Sequence, residues 1–522
     1  MKLSNILACL LFPVAQHGLA QVNPAIDIRH YTFNVTINDD NDRIQGRASI
    51  DLKLNQPADS VVLDLMNVEP SGKGMKVEQV LAAGTPAGYR QTAEKLVIYI
   101  TGAKSSIVHV DITYAGIPAN GLVISKNQFG QRTFFADNWP NRARYWVPCI
   151  DHPADKATVT FVVTAPAHYR VVANGLLVSE NAAGGQKTTT YAEPVPLPTK
   201  VMVFGAADFN VKQTGKVGDV AVSSWTFDKE PRPDGYDSAP AILKYLVETV
   251  GPFSYGKLAH VQSKTMFGGM ENAGAIFYFE KSPGDAGIES LIAHETAHQW
   301  FGDAATEKNW PHVWLSEGFA TYLTNTYLEQ KYGADSLKKR MAEQRTKIIN
   351  FERRRFTPVI DSVQDNYMQI LNANSYEKGA WTLHMLRRKL GDKQFWEGIR
   401  TYYKLYRDRN ADTDDLRRVF EKISGTDLKP FFTQWLYRPG SPKLAVKWEY
   451  DSQKKDITLR VTQTQADLYD VPLEFSLPGD MKPRTMQLRN RTTVVRIAAA
   501  KAPGTIRIDP NVNLLATINL TN

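Results

Sequence analysis

The spacing of hydrophobic and polar residues changes twice along this chain. From about residue 27 to residue 209, apolar and polar positions alternate, as in the run 48–54, and clusters of turn-forming residues separate the runs. Alternation with a period of two is typical of strands that bury one face. The pattern therefore predicts an N-terminal β domain over residues 21–209.

Beyond residue 209 the apolar residues recur with helical spacing. Several of these runs end at a glycine, which is a frequent helix terminator. The pattern predicts a mainly helical middle domain over residues 210–440, with helices at 240–251, 287–302, 314–333, 336–355, 376–391 and 414–424.

The alternating pattern returns after a turn-rich linker, Arg-Pro-Gly-Ser-Pro at 438–442. Leu444, Val446 and Trp448 alternate with polar residues, and further short strand-like runs follow. We expect a small C-terminal β-sandwich over residues 441–522. The whole chain is thus predicted to be an α+β multidomain protein.

The first 20 residues have a different composition from the rest. Lys2 precedes an apolar run at 6–14, and the sequence Gly-Leu-Ala follows at 18–20. This order is typical of a secretory signal peptide over residues 1–20, whose removal would leave an exported protein, periplasmic or secreted. The alternative is a disordered segment or a buried strand. Cys9 faintly resembles a lipidation site but lies early in the apolar run, and the sequence leaves that question open.

Composition narrows the class of protein further. The chain has 522 residues, of which 43% are hydrophobic and 22% charged, as expected for about two to four soluble domains. After residue 20 no apolar run approaches the roughly 20 residues of a membrane-spanning helix, so we expect no integral membrane segment in the mature chain. Cys149 is the only cysteine beyond the leader, which excludes an internal disulfide. A net charge of +8 without a long basic block argues against nucleic-acid binding.

The strongest chemical signal is the segment His-Glu-Thr-Ala-His-Gln-Trp at 294–300. Residues four apart share one face of a helix, so His294 and His298 can both bind one zinc ion. Glu295 projects beside them and is placed to take a proton from a metal-bound water. Glu317, 19 residues beyond His298 (317 − 298), can complete a His2Glu site with an open fourth position. We predict one zinc ion per chain.

The alternative is a solvated helical turn whose histidines and glutamate are chance neighbours. Two observations argue against it. Histidine is scarce, with 10 in 522 residues, so a chance His-Glu-x-x-His is rare. Leu291, Ile292, Trp300 and Phe301 also make the flanks apolar, as in a buried helix.

A glycine-rich segment upstream could bind a substrate. Gly268, Gly269, Met270, Glu271 and Asn272 place a carboxylate and an amide after two glycines, where a backbone can approach a ligand closely. Glu271 is available to bind a positively charged group. The alternative is an ordinary glycine turn with a solvated glutamate, and the segment alone does not decide between them.

Downstream, Tyr376 stands at the predicted start of a helix. Its phenol could donate a hydrogen bond to the oxyanion of a tetrahedral intermediate. Taken alone, a tyrosine at such a position is more often a packed aromatic residue.

Taken in order, these motifs resemble those of the aminopeptidase N and leukotriene hydrolase family of gluzincin zinc aminopeptidases. The similarity includes Gly-Gly-Met-Glu-Asn, His-Glu-Thr-Ala-His, Glu317 and Tyr-x-Lys-Gly at 376–379. It extends over nearly the whole mature chain, because residues 27–31, 146–157 and 207–209 also resemble segments of that family. Only 82 residues follow Gly440 (522 − 440), which implies a short form without the large helical C-terminal domain and with a less covered cleft.

The resemblance implies a thermolysin-like fold for the middle domain, which would be the catalytic domain. It also implies that His294, His298 and Glu317 bind zinc and that Glu295 is the general base.

The remaining motifs would act on the substrate. The resemblance implies that Tyr376 stabilises the transition state and that Glu271 holds the free α-amino group of a peptide. The groove for the peptide backbone would be lined by Gly268, Gly269, Met270 and Asn272.

One segment departs from the family pattern. Many relatives carry Gln-x-Glu or Gln-x-Gln shortly before the Pro-Cys segment, as a second contact to the N-terminal residue. Here the stretch reads Ala-Asp-Asn-Trp-Pro at 136–140, with Trp139 at the usual Glu or Gln position and Asp137 two residues earlier. We hypothesise that Asp137 joins Glu271 in holding the substrate amine.

The predicted function is therefore that of a zinc aminopeptidase acting on peptides with a free N-terminus. A thermolysin-type zinc endopeptidase with the same metal chemistry is one alternative, and Glu271 is the feature that distinguishes the two. A non-catalytic peptide-binding protein is another. The preferred N-terminal residue and the oligomeric state do not follow from the sequence.

Overall fold

The structure is a computed structural model that describes residues 23–102, 106–363 and 366–521. The predicted signal peptide and Cys9 lie outside the described residues. Three parts follow one another along the chain, a β-rich N-terminal part, a helical middle part and a β-rich C-terminal part, as the hydrophobic pattern predicted.

The N-terminal part consists of strands in three sheets. The largest has eight strands in the order β13-β14-β11-β1-β2-β8-β4-β5, and two smaller sheets have the orders β12-β15-β10-β9 and β3-β7-β6. The strands are β1 (Ile26–Thr36), β2 (Ile44–Leu54), β3 (Ala58–Asp64), β4 (Gly74–Ala82), β5 (Thr85–Pro86), β6 (Tyr89–Gln91), β7 (Lys95–Gly102), β8 (Ile107–Ile117), β9 (Leu122–Lys126), β10 (Arg132–Ala136), β11 (Lys156–Pro166), β12 (Arg170–Ala173), β13 (Leu176–Ala183), β14 (Gln186–Pro198) and β15 (Phe204–Ala207).

The alternation of buried and more exposed residues along these strands explains how they form one hydrophobic core. Every second residue at the end of β1, including Tyr31, Phe33 and Val35, is fully buried. Phe33 packs against Phe161 of the neighbouring strand β11, with ring centroids 5.7 Å apart. Trp146 closes the same cluster and has no exposed surface.

The middle part combines a five-stranded sheet, in the order β16-β17-β18-β20-β19, with a group of helices. A two-stranded sheet pairs β21 with β22. The elements in chain order are β16 (Phe209–Val217), β17 (Val220–Phe227), α1 (Ala239–Thr249), β18 (Lys257–Ser263), β19 (Gly269–Met270), β20 (Ala275–Phe279), α2 (Ile288–His298), β21 (Ala305–Glu307), α3 (Trp314–Tyr332), α4 (Ala334–Glu352), α5 (Gly379–Leu390), α6 (Asp392–Tyr406), β22 (Arg409–Ala411), α7 (Thr413–Ser424) and α8 (Lys429–Phe432).

All six helices predicted from the spacing are present, with ends that differ by a few residues. Helix α6 was missed, although Phe395, Ile399 and Tyr402 are buried at helical spacing on one face. Its many aromatic residues have low helix propensity, and here tertiary packing outweighs that preference. Tyr376, predicted at a helix start, lies in a π-helical turn, Asn374–Lys378, immediately before α5.

Several short helical turns connect these elements. They are the 3-10 turns Ala143–Tyr145, Thr199–Val201, Ser282–Gly284, Trp310–His312 and Tyr367–Ile370 and the π-helical turns Asn374–Lys378 and Thr433–Tyr437.

The C-terminal part has two sheets, in the orders β27-β24-β23-β29 and β26-β25-β28. Its buried side chains form one cluster with side chains from α4 and α5, such as Met341 and Trp381. The strands are β23 (Lys443–Asp451), β24 (Asp456–Gln463), β25 (Val471–Ser476), β26 (Arg484–Leu488), β27 (Thr492–Ala498), β28 (Arg507–Ile508) and β29 (Thr517–Thr521).

Among the described helices, none is both long enough and apolar enough to span a membrane.

Candidate metal centre and substrate cavity

Helix α2 carries the two histidines of the predicted metal site on one face. Their Nε2 atoms lie 3.1 Å apart. Glu317, in the first turn of α3, brings Oε2 to 3.4 Å from His294 Nε2 and 3.3 Å from His298 Nε2. The three predicted ligands therefore converge on one point.

The spacing of these three atoms fits zinc. Zinc binds imidazole nitrogen and carboxylate oxygen at about 2.0–2.1 Å with tetrahedral geometry, which places neighbouring ligand atoms about 3.3 Å apart. The three observed separations, 3.1, 3.3 and 3.4 Å, match this value. Two imidazoles and one carboxylate are also the donor set of many catalytic zinc sites.

A second layer of contacts orients His298. Its Nδ1 lies 3.2 Å from the carbonyl oxygen of Phe301 and 2.9 Å from the Oγ of Ser316. Because a carbonyl can only accept, we assign the hydrogen to Nδ1, which leaves the Nε2 lone pair for a metal. Gly302 adopts φ +127°, and a Cβ there would overlap Ser316 Oγ, so only glycine fits beside this contact.

Tyr376 lies beside the same centre and lines the same cavity. Its ring stacks on that of His294, with centroids 5.9 Å apart and an interplanar angle of 12°. Burial raises the pKa of the phenol well above its usual value, and the charges of Glu317, Glu271 and Glu295 act in the same direction. The phenol therefore keeps its proton and can serve as a hydrogen-bond donor.

Glu295, the residue after His294, extends into the cavity in front of the ligands. Burial raises its pKa well above the usual value, and Glu271 and Glu317 add to the shift, although His298 opposes it. Its side chain lies against Gly269 of β19, where a Cβ would come within 2.5 Å of the Glu295 Oε1. A glycine at 269 is therefore needed to make room for this carboxylate.

Glu271 follows β19 and faces the same cavity. It is 5% exposed, and its Oε1 has no hydrogen-bond partner among the described residues. It forms a second compact group with Glu295 and His298, in which one oxygen or nitrogen of each lies within 4.8 Å of the others. A buried carboxylate oxygen without a donor is an available binding site for a cation or ammonium group.

Gln299, at the C-terminal end of α2, links this helix by hydrogen bonds to the segment that carries Glu271. Its Nε2 donates to the carbonyl oxygen of Glu271 at 2.7 Å and to Asp303 Oδ2 at 2.9 Å, and its Oε1 accepts from Gly274 N at 2.8 Å. Gln299 is part of the His-Glu-Thr-Ala-His-Gln-Trp motif, but the sequence alone assigned no function to it. A polar residue directly after two metal ligands, in an otherwise apolar stretch, is the signal that could have indicated it.

The carboxylates of the centre create a negative field at His298 when no metal is bound. Burial lowers the pKa of His298, yet the nearby carboxylates of Glu317 and Glu271 outweigh it and raise that pKa to about 10. The same negative field that attracts a proton to this imidazole attracts a divalent cation. The negative field of the carboxylates and the spacing of the three ligand atoms thus both favour a zinc ion at this centre.

Nearly all predicted site residues line one cavity of about 240 Å³. Four apolar side chains that the sequence analysis had not assigned to a site, Trp139, Phe267, Leu291 and Leu371, complete its walls. The predicted residues in the lining are Gly268, Gly269, Met270, Glu271, His294, Glu295, His298, Glu317 and Tyr376.

Two predicted residues are not part of this lining. Asn272 is fully buried, and both atoms of its amide lack a hydrogen-bond partner in the described part of the chain. Asp137 is 1% exposed and is engaged elsewhere, since its Oδ1 pairs with Arg142 Nη2 at 2.6 Å. Its Oδ2 accepts from the Thr265 hydroxyl and the Met266 N–H, both at 3.3 Å. The structure therefore does not place Asp137 beside Glu271 as a second amine-binding group.

Comparisons with known proteins agree with this arrangement. The Peptidase M1 N-terminal domain matches residues 28–201, and the Peptidase family M1 domain matches residues 236–435. The probable aminopeptidase 1 of Sulfurisphaera tokodaii is 25% identical over 85% of this chain, and the leucyl aminopeptidase of Saccharolobus solfataricus is 24% identical over 85%. In both comparisons the chain spans only 58% of the relative's length.

A solved structure extends the likeness to three dimensions. A crystal structure of a variant M1 zinc metallopeptidase from Deinococcus radiodurans superposes with a TM-score of 0.69 at 25% identity. The match covers 79% of this chain and 94% of that one. With two domain matches, a shared fold and the metal-binding motif in place, the chain belongs to peptidase family M1.

Proposed function

We propose that this protein is a zinc-dependent aminopeptidase that removes the N-terminal residue from peptides. The observation that carries the proposal is the unpartnered, buried Oε1 of Glu271 in the same cavity as the His2Glu centre. A peptide ammonium group would satisfy this oxygen. It would also fix the first peptide bond of the substrate in front of the centre.

His294, His298 and Glu317 would hold the zinc ion. When bound, zinc polarises a substrate carbonyl and makes water more acidic, which is the chemistry that peptide hydrolysis requires. The protein contributes the metal ligands, an anchor for the amine and the groups that move protons.

Glu295 is the residue placed to move protons. Its carboxylate takes a proton from the attacking water and passes it to the departing amine nitrogen, so one side chain serves both halves of the reaction. The raised pKa of Glu295, caused mainly by burial, makes this carboxylate a stronger proton acceptor. Tyr376 keeps its phenolic proton and donates a hydrogen bond to the oxygen that becomes negative.

The main rival is an endopeptidase with the same metal chemistry. An endopeptidase must accept a peptide chain on both sides of the bond it cuts. Here Glu271 would then meet an uncharged peptide group, and a buried carboxylate would stay without a counter-charge at a cost of several kcal/mol. The position of Glu271 thus favours the exopeptidase.

A matched pair of substrates tests this distinction. Aminoacyl p-nitroanilides and their N-acetylated forms differ only in the ammonium group. We expect the purified protein to hydrolyse the free forms and to leave the acetylated forms intact, with activity lost in Glu295→Gln or after chelation. Equal cleavage of both forms would favour the endopeptidase, and zinc binding without any turnover would favour a peptide-binding protein.

We also propose that the chain is exported to the periplasm or beyond. The basis is the leader-like sequence of residues 1–20. N-terminal sequencing of the protein recovered from cell fractions tests the proposal. Processing near residue 20 is expected, whereas full-length chain confined to the cytoplasm would overturn it.

A further inference from the structure

We propose that Trp139 and Phe267 form an aromatic wall that makes the site select large apolar residues, above all aromatic ones, at the substrate N-terminus. We further propose that the ion pair of Asp137 and Arg142 holds this wall in place. The inference rests on the proposed aminopeptidase function. Trp139 and Phe267 then recognise the first side chain of the substrate, and Asp137 is a positioning residue for both.

The first substrate side chain must lie close to this wall. In the proposed function the amine meets Glu271 and the first carbonyl group meets the His2Glu centre. The side chain branches from the single carbon atom between these two groups. It therefore contacts the cavity next to Glu271, where Phe267 and Met270 of the same segment and Trp139 of the N-terminal part form the lining.

The wall is a packed aromatic group. The Trp139 ring meets the Phe267 ring edge to face, with centroids 6.0 Å apart and an interplanar angle of 87°. Trp139 also packs against Trp310, with ring centroids 5.4 Å apart. Trp139 is only 2% exposed, so it supports the wall from behind, whereas Phe267 is half-buried and presents surface to the cavity.

The ion pair joins both halves of the wall. Arg142 donates from Nη2 to Asp137 Oδ1 at 2.6 Å and from Nε to the carbonyl oxygen of Trp139 at 2.7 Å. Its guanidinium lies over the Phe267 ring, 5.6 Å from the centroid. The other oxygen of Asp137 accepts the Met266 N–H, which fixes the backbone immediately before Phe267.

The ion pair is shielded from water, which strengthens its effect on the loop. The Asp137 side chain is 1% exposed and that of Arg142 is 11% exposed. A charge-assisted hydrogen bond in such surroundings is stronger and more directional than one at the surface. Loss of either partner would let the segment that carries Phe267 move relative to Trp139.

The chemistry of the lining decides which side chains fit. Its apolar members are Trp139, Phe267, Met270, Leu291 and Leu371, and no lysine or arginine of the described chain is among the lining residues. An acidic first residue would find no counter-charge. A basic one would find no spare carboxylate, because the three in the lining serve the metal, the proton transfer and the amine.

An aromatic first residue gains most from these surroundings. It buries a large apolar area and adds edge-to-face contacts worth about 0.5–1.5 kcal/mol beyond that area. Discrimination by an apolar pocket usually reaches about 10- to 200-fold.

The decisive measurement is kcat/KM for a series of p-nitroanilides of phenylalanine, leucine, alanine, glutamate and lysine. We expect the wild type to prefer phenylalanine over alanine by about tenfold or more. Phe267→Ala should lower this ratio by about tenfold, and Phe267→Leu should have an intermediate ratio. A wild type that cleaves the alanine anilide as fast as the phenylalanine one, in a chelator-sensitive reaction, would overturn the inference and leave the proposed function intact.

The role of Asp137 needs a measurement that general destabilisation would not reproduce. Asp137→Ala should raise KM for the phenylalanine anilide by about tenfold, with a smaller fall in kcat. Asp137→Asn keeps an acceptor for the Met266 N–H and should recover part of that loss. If Asp137→Ala does not fold, Asp137→Asn and Arg142→Lys carry the test through their phenylalanine-to-alanine ratios.

The outcomes separate the two proposals. If Asp137→Asn and Arg142→Lys both keep the wild-type ratio of kcat/KM for the phenylalanine and alanine anilides, the positioning role of the ion pair is overturned. A zinc-loaded protein that cleaves none of the free anilides would overturn the proposed function, and this inference with it.

Discussion

The backbone of Gly318 in α3 lies directly against the backbone of Gly379 at the start of α5. A Cβ built on Gly318 would be 2.9 Å from the Cα of Gly379, and a Cβ built on Gly379 would be 2.9 Å from the Cα of Gly318. The first helix carries Glu317 and the second follows the turn that carries Tyr376. The two glycines thus allow the metal ligand and the phenol donor to approach each other.

Replacing Gly318 by alanine should force α3 and α5 apart. We expect a destabilisation of about 1–3 kcal/mol, typical of overpacking, together with weaker zinc retention. Urea unfolding and zinc content after dialysis measure the two effects. Gly287→Ala is the control, because it has φ −88° and a Cβ there meets only Asp285 Oδ1, at 3.4 Å. Equal behaviour of both variants would contradict the prediction.

Gly269→Ala should impair the proton-transfer step more than metal binding. The added methyl group would meet the Glu295 carboxylate at 2.5 Å and displace it. A displacement of about 1 Å at a catalytic group can cost about 100-fold in rate. We therefore expect kcat to fall by about that factor, with one zinc ion retained per chain.

A neighbouring glycine provides the comparison for this variant. A Cβ on Gly268 has no atom within 4 Å, so Gly268→Ala should lose much less activity than Gly269→Ala. Similar losses in the two variants would show that crowding of Glu295 is not the cause.

Metal removal should lower thermal stability as well as activity. Glu271, Glu295 and Glu317 share one small cavity, and without a metal only bound protons, such as the one on His298, offset their mutual repulsion. A ligand at about 100 times its dissociation constant stabilises the native state by about 2.7 kcal/mol. We expect a chelator to lower the Tm of the wild type and to leave that of Glu317→Ala unchanged. An unchanged wild-type Tm despite complete zinc loss would contradict this account.

A buried ion pair connects the N-terminal part to the middle part. Lys200 Nζ lies 2.6 Å from Glu307 Oε1, and the two side chains are 1% and 0% exposed. Removing one member of such a pair typically costs about 3–5 kcal/mol, whereas replacing both with apolar residues is often nearly neutral. Lys200→Met should therefore be strongly destabilised in urea unfolding, and Lys200→Met with Glu307→Leu should regain most of the loss. No recovery in the double variant would show that the pair does not act as a unit.

Asp509 should make stability depend on pH between about 4 and 6. Burial raises the pKa of Asp509 to about 6, although the Asn513 backbone N–H and Arg345 oppose the shift. Because the folded state holds this proton more tightly than the unfolded state, the contribution to stability is complete below the unfolded pKa and is lost as pH rises through about 6.

The variant Asp509→Asn isolates this contribution. The free energy of unfolding of the wild type, relative to the variant, should fall by on the order of 3 kcal/mol between pH 4 and pH 7. Urea unfolding across this range measures the difference. A constant difference between the two proteins would contradict the prediction.

The metal site could be predicted from the sequence because its geometry is mostly local. His294, His298 and Glu295 lie within two turns of one helix, where the backbone fixes their relative positions. Glu317 follows in the next helix, and its spacing from His298 agrees with the observed convergence. The alternation of apolar residues likewise predicted the order of β-rich and helical parts.

The environment of Asp137 could not be predicted in the same way. Its partners Arg142, Thr265 and Met266 include residues about 130 positions away in the chain, and no local pattern says which buried carboxylate meets which cation. The same limit applies to Trp139, which was recognised only as a departure from the family pattern. Its place in the cavity depends on how the N-terminal part packs against the loop before β19.

The hydrogen bond from Gln299 to the Glu271 carbonyl has a consequence for where a peptide is cut. The helix that supplies His294 and His298 also anchors the backbone that presents Glu271. The distance from the Glu271 carboxylate, which would bind the amine, to the metal is then fixed by one helix and the segment hydrogen-bonded to it. In the proposed aminopeptidase this fixed distance would bring the first peptide bond of the substrate, and not a later one, to the metal.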